Sequence, residues 1–189
     1  MFDDPRFDSV PGAARDVSAF DQQGCLSPHV IYVSGDARAY AARLAVEVEA
    51  LSVREPRGPI SLSEKLAIRT AREELAFRAA NDGTAQLWQS ADSTAWTVAF
   101  DADPGFPRSP LNRFIFIKPM PADPVFELHE VRAHLSCAGI WPVAPEHARP
   151  LAALGFSRIC PLGRMQMPPW TWRQDGAAAA RRFGALGRI

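Results

Sequence analysis

The sequence predicts a layered α/β domain, and three observations lead to it. The element signals run strand, helix, helix, strands, and then alternate helix with strand, the order of an α/β architecture. Phe114-Ile115-Phe116-Ile117 is apolar at four successive positions, so both faces of that strand need cover and it belongs inside a sheet. Two helical stretches carry apolar faces and begin at recognisable caps, which supplies the covering layers.

In chain order, residues 1–12 read as a loose lead-in, with Pro5, Pro11 and Gly12. Residues 13–20 suit a short helix ending near Gly24. Residues 29–33, rich in Val, Ile and Tyr, suit a strand. Gly35 breaks it, and Asp36 is placed to cap a helix to Leu51. Tyr40, Leu44, Val48 and Leu51 fall on one face of that helix. After Pro56, Gly58 and Pro59, the Ser61 to Glu64 spacing is a capping box. It opens a helix to Ala80 with Ile68, Ala71, Leu75 and Ala79 on one face.

Residues 84–88 and 96–100 read as strands, the second with Trp96, Val98 and Phe100 alternating. A Pro/Gly loop covers 101–110, and the central strand follows at 113–118. The pattern then predicts a helix over 124–134, a strand over 135–140, a helix over 145–154 and a strand over 157–162. Residues 177–189 are rich in Ala, Arg and Gly and read as a frayed helix. The expected organisation is a lead-in (1–12), an α/β domain (13–154) and a C-terminal segment (155–189).

The chain has 189 residues, 47% of them hydrophobic, enough to bury a sizeable core. Lys plus Arg and Asp plus Glu both number 21, and this balance argues against a general nucleic-acid-binding role. Three cysteines, Cys25, Cys137 and Cys160, are an odd set with no paired zinc-ligand spacing. They read as reduced thiols in a cytoplasmic protein without a metal. Met1-Phe2-Asp3-Asp4-Pro5 has no apolar signal region, and no run approaches the ~20 apolar residues of a membrane span.

The chemistry centres on one stretch, Ala19 to Val33, "AFDQQGCLSPHVIYV". Cys25 follows a glycine and precedes a strand, where a turn exposes a side chain; its thiolate would be a nucleophile. A buried structural cysteine is the competing reading. A papain-like hydrolase is disfavoured, since the residues after Cys25 read Leu-Ser-Pro-His and Asn occurs only at Asn81 and Asn112. A metal pair of Cys25 and His29 is disfavoured too, because a strand start does not put them on one helix face. Cys137 and Cys160 lie in apolar strands and read as core.

Whole phrases are more specific. "DVSAFDQQGCLSPHVIYV", "VRAHLSCAGI" and "LGFSRICPLGRMQMPPWTWRQDG" occur in one order over residues 13–176. Together they resemble the acyl-CoA reductases of the bacterial bioluminescence fatty-acid reductase type, in the aldehyde dehydrogenase superfamily. The resemblance implies a catalytic domain of aldehyde dehydrogenase type, with Cys25 attacking a long-chain acyl-CoA. The resulting acyl-cysteine would be reduced by NADPH, or NADH, to a fatty aldehyde. It also implies that the nucleotide-binding domain is not in this stretch, since no G-x-G-x-x-G fingerprint is present. The chain alone would then not complete the reduction, and a nucleotide-binding half or a second copy would pack on residues 165–172. Gln22 and Gln23, which flank the thiol, and His134 are the supporting candidates; Arg164 is the candidate for cofactor phosphate. The alternative is a non-catalytic remnant or interaction module that keeps the fold.

Overall fold

The computed structural model describes residues 9–174 and 177–178. Helix α1 (Val10–Ser18) is followed by strand β1 (Val30–Val33) and helices α2 (Ala37–Arg54) and α3 (Leu62–Asn81). Strands β2 (Ala85–Gln89), β3 (Thr97–Asp101) and β4 (Phe114–Pro119) complete one sheet, in the order β1-β4-β3-β2. β1, β4 and β3 run parallel, and β2 is antiparallel to β3. β4 is an interior strand, as its two-faced apolar pattern predicts.

The layers follow from strand alternation. Val98, Phe100, Ile115 and Ile117 point to one face and pack with Ala13, Val17, Leu44 and Val48 of α1 and α2. Ala99, Phe114 and Phe116 point to the other face and pack with Ile68 and Leu75 of α3. Both helix starts are capped as the sequence predicts. The Asp36 carboxylate accepts from the Ala39 N–H at 2.9 Å. Ser61 and Glu64 make both hydrogen bonds of the capping box.

Charge is buried on the α3 face. Lys118 and Asp101 pair at 3.1 Å, and Arg78 of α3 reaches the same carboxylate at 2.6 Å. Burial pushes the Asp101 carboxyl up, but Arg78, the Asp103 N–H and Lys118 outweigh it and hold it below its ordinary range.

The C-terminal part contains α4 (Pro124–Glu127), β5 (Cys137–Ile140), α5 (Pro145–Leu154) and β6 (Arg158–Pro161). β5 and β6 form a separate parallel pair, with Cys137 opposite Arg158 and Gly139 opposite Cys160. Residues 162–165 return to α1. The Asp16 carboxylate accepts from the N–H groups of Gly163 (2.6 Å) and Met165 (3.0 Å). Gly12 allows that approach: a Cβ there would stand 3.0 Å from the Leu162 main chain.

Three expectations need correction. The helix expected over 124–134 is a four-residue α4 followed by turns, with a 3-10 turn at Arg132–His134. Val125 and Phe126 stay exposed, and Leu128 alone in this stretch is fully buried, so a continuous helix would have no apolar face to dock. α1 starts at Val10, inside the expected lead-in, because Pro11 occupies the first helical turn, where its missing N–H costs nothing. Of the expected C-terminal helix, Ala177–Ala178 instead forms β8, antiparallel to β7 (Arg173–Gln174). The remainder of residues 177–189, like residues 1–8 of the lead-in, lies outside the described residues.

Candidate active site

Cys25 is exposed at the crest of a turn between α1 and β1. The turn is fixed from several directions. The Ser27 N–H donates to the Gly24 carbonyl at 2.9 Å, and Gln166 Nε2 donates to Ser27 Oγ at 2.6 Å. Gly24 leaves room for the Gln166 amide: a Cβ there would stand 2.6 Å from its Nε2, and the amide would have to move.

Before the turn, Phe20, Asp21 and Gln22 all adopt left-handed φ angles of 51°, 53° and 63°. None is glycine, so Phe20 and Gln22 carry steric strain there, while Asp tolerates the region better. A second left-handed run, Leu111, Asn112 and Arg113, has φ angles of 61°, 59° and 64°. The two runs interlock. Arg113 pairs with Asp21 at 2.7 Å, and Gln23 Nε2 donates to Asn112 Oδ1 at 2.8 Å. Gln22 is fully buried and makes three bonds to main chain. Its Nε2 donates to the carbonyls of Pro28 (2.7 Å) and Phe114 (2.8 Å), and its Oε1 accepts from the Phe114 N–H at 2.7 Å. The turn carrying the thiol is thereby tied to the start of β4.

A cleft of about 490 Å3 opens beside Cys25, between β1 and the β5-α5-β6 unit. Leu26, Leu128, Leu151, Leu154 and Met165 contribute apolar surface, and His29, His134 and His147 also line it. His29, just before β1, is half-buried, and its ring stacks near Phe106 with centroids 6.3 Å apart. Burial lowers its basicity, so the imidazole is neutral near pH 7. Cys137 also borders the cleft, but its thiol is pushed up by hydrogen bonding to Cys160 and by burial. Asp16 borders it as well; burial raises its carboxyl, while the Gly163 and Met165 N–H groups pull it back in part.

Of the residues singled out from sequence, the cleft brings together Cys25 and His134. Gln22 and Gln23 do not face it: one is a buried clamp and the other reaches Asn112 and Glu64. Arg164 is exposed and outside the cleft, its Nη1 3.7 Å from the Met167 sulfur. In the segment 165–172, Met165 is buried, whereas Met167 and Trp170 are exposed, Trp170 almost completely. Sequence reasoning set aside His29 as a metal ligand and passed over Gln166, Asp21 and Arg113. Gln166 lies in one of the recognised phrases, but nothing local marks it as a partner of the Cys25 turn.

Among the described residues, no cluster of three or more His, Cys, Asp or Glu is placed to hold a metal. Nor is there a helix long and apolar enough to cross a membrane. The β1–α2 turn does not fit the pyrophosphate of a nicotinamide dinucleotide either. The β1–α2 turn, Ser34-Gly35-Asp36, has one glycine, and the Asp36 carboxylate already occupies the α2 N-terminus. A pyrophosphate would meet like charge there.

No curated protein matches the chain. A family model described as "Acyl-CoA reductase (LuxC)" matches residues 5–186, nearly the whole sequence. The order of its three phrases, its α/β layers and this match make the chain a member of the LuxC acyl-CoA reductase family.

Proposed function

We propose that this chain performs the acyl-transfer half of a long-chain acyl-CoA reduction, with Cys25 as the acyl acceptor. The observation that carries the reading is an exposed thiol on a braced turn at the mouth of an apolar cleft. Cys25 Sγ attacks the thioester carbonyl carbon, the C–S bond to CoA breaks, and an acyl-cysteine remains. One thioester replaces another, so the step is close to isoenergetic. The alkyl chain lies along the apolar wall formed by Leu26, Leu128 and Leu154. The transient oxyanion is held by backbone N–H groups of the Cys25 turn. The side-chain amides of Gln22 and Gln23 are committed elsewhere.

Release of a fatty aldehyde then needs a hydride, which the family reading assigns to NADPH. The β1–α2 turn offers no cradle for its pyrophosphate, so the reading for this chain stops at the acyl-cysteine. A nucleotide-binding half or partner chain supplies the rest, and exposed Met167 and Trp170 are its proposed contact.

The test is intact mass after incubation with a long-chain acyl-CoA, followed by peptide mapping. One acyl adduct on Cys25, absent from Cys25→Ala, is expected. A folded protein that acquires no adduct overturns the reading and favours a non-catalytic remnant.

A further inference from the structure

We propose that His29 is the catalytic base that takes the proton from the Cys25 thiol. This rests on the reading of Cys25 as the acyl acceptor. Both side chains rise from one short segment that is held at its ends and middle. Gln22 holds the Pro28 carbonyl next to His29, the Gly24–Ser27 bond closes the turn, and Gln166 holds Ser27. The His29 carbonyl is further joined to the Phe116 N–H of β4 at 3.4 Å. Both residues line the same cleft. Phe106 flanks the imidazole, and neither ring nitrogen hydrogen-bonds to protein among the described residues. The ring is therefore oriented, yet free to accept a proton.

Its charge state suits the task. Burial disfavours the imidazolium, so His29 is a neutral acceptor at pH 7. The other titratable groups on the cleft are Asp16 of α1, Tyr32 of β1, Tyr40 of α2, His134, Cys137 of β5, and Glu146 and His147 of α5. The Tyr40 hydroxyl accepts from Ser9 Oγ at 3.4 Å. Asp16 is engaged by two N–H groups, Tyr32 donates to the Pro104 carbonyl at 2.9 Å, and Cys137 is tied to Cys160. His134, Glu146 and His147 are exposed on the C-terminal unit.

The step balances without a redox change. The His29 imidazole accepts the S–H proton as Cys25 Sγ bonds to the carbonyl carbon. When the tetrahedral adduct collapses, the C–S bond to CoA breaks and the imidazolium protonates the departing CoA thiolate. Acyl group and proton are exchanged, and His29 returns to the neutral form.

The experiment follows the rate of Cys25 acylation by a long-chain acyl-CoA, by intact mass, from about pH 5 to about pH 9. Wild type should rise to a plateau with a midpoint below 6.5, the ordinary value for histidine. His29→Gln should be slower by about 100-fold at pH 7. Its rate should rise instead toward the ordinary thiol range near about 8.5. Free imidazole should restore part of the rate to His29→Ala. Urea midpoints of both variants establish that they are folded. If Gln unfolds the protein, the His29→Asn variant and the imidazole rescue carry the same test. A folded variant that keeps the wild-type rate and pH midpoint overturns the proposal. So does a loss of the low midpoint in His134→Gln with none in His29→Gln. Absence of any adduct in folded wild type at every pH instead overturns the role of Cys25 itself.

Discussion

Replacing Gln22 with Ala should be among the most damaging single changes near the site. The side chain has no solvent exposure and satisfies three main-chain groups: the carbonyls of Pro28 and Phe114 and the N–H of Phe114. Truncation leaves those groups without partners inside the protein, at about 1–3 kcal/mol for each group that water does not reach. Water entering the new space recovers part of this. The net loss is then about 4 kcal/mol, toward the upper end for a single substitution. With a urea m-value of about 2 kcal/mol/M, the midpoint should fall by about 2 M. Gln22→Glu separates the hydrogen bonds from the volume. An ionised Glu would face two carbonyl oxygens with no proton to donate. Its folded pKa would be raised, so that variant should be most stable at low pH and lose stability as pH rises through the folded value. Urea titrations near pH 4 and pH 8 would show the trend. If Gln22→Ala loses less than about 1 kcal/mol, or Gln22→Glu gains stability with rising pH, the clamp argument is wrong.

Lys118→Met keeps most of the buried volume but removes the cation beside Asp101, and should cost about 3 kcal/mol, read from the urea midpoint. The wild-type Asp101 carboxyl is held low when folded, so its contribution is complete above its ordinary value of 3.8 and is lost as pH falls through the lower folded value. Acid unfolding of Asp101→Asn should be correspondingly less steep in that range. Gly12→Ala puts a methyl 3.0 Å from the main chain of Leu162, and backbone cannot swing aside as a flexible side chain can. A loss of about 1–3 kcal/mol is expected, with faster proteolysis of the C-terminal segment.

The legible parts of the fold are those with local causes. Asp36 and the Ser61–Glu64 box announce their helices because a cap is chemistry between residues three apart. Phe114–Ile117 announces an interior strand because both faces must be covered. The stretch 124–134 misleads for the opposite reason. It has helical spacing and a good cap at Asp123, but Phe126 is 77% exposed and no layer receives it. The sheet order β1-β4-β3-β2 has no local cause; β4 enters between strands that precede it in sequence.

The candidate site divides along the same line. Gly24-Cys25 ahead of a strand points to an exposed thiol from nearest neighbours alone. What holds that thiol comes from 92 residues away, in the Arg113–Asp21 contact. Of the six non-glycine residues in the two left-handed runs, Phe20, Gln22, Leu111 and Arg113 are each disfavoured by about 1–2 kcal/mol as isolated chain, while Asp21 and Asn112 tolerate the region better. Neither run is favoured by its own sequence, and a reader of either would assign it ordinary geometry. Contacts between them and the residues that directly follow them, Asp21 with Arg113, Gln22 with Phe114 and Gln23 with Asn112, offset the strain only when both runs are formed. The turn that presents Cys25 and His29 is therefore conditional on the entry to β4. Strain of this kind holds a nucleophile in one place because relaxing either run gives up the contacts that stabilise the other.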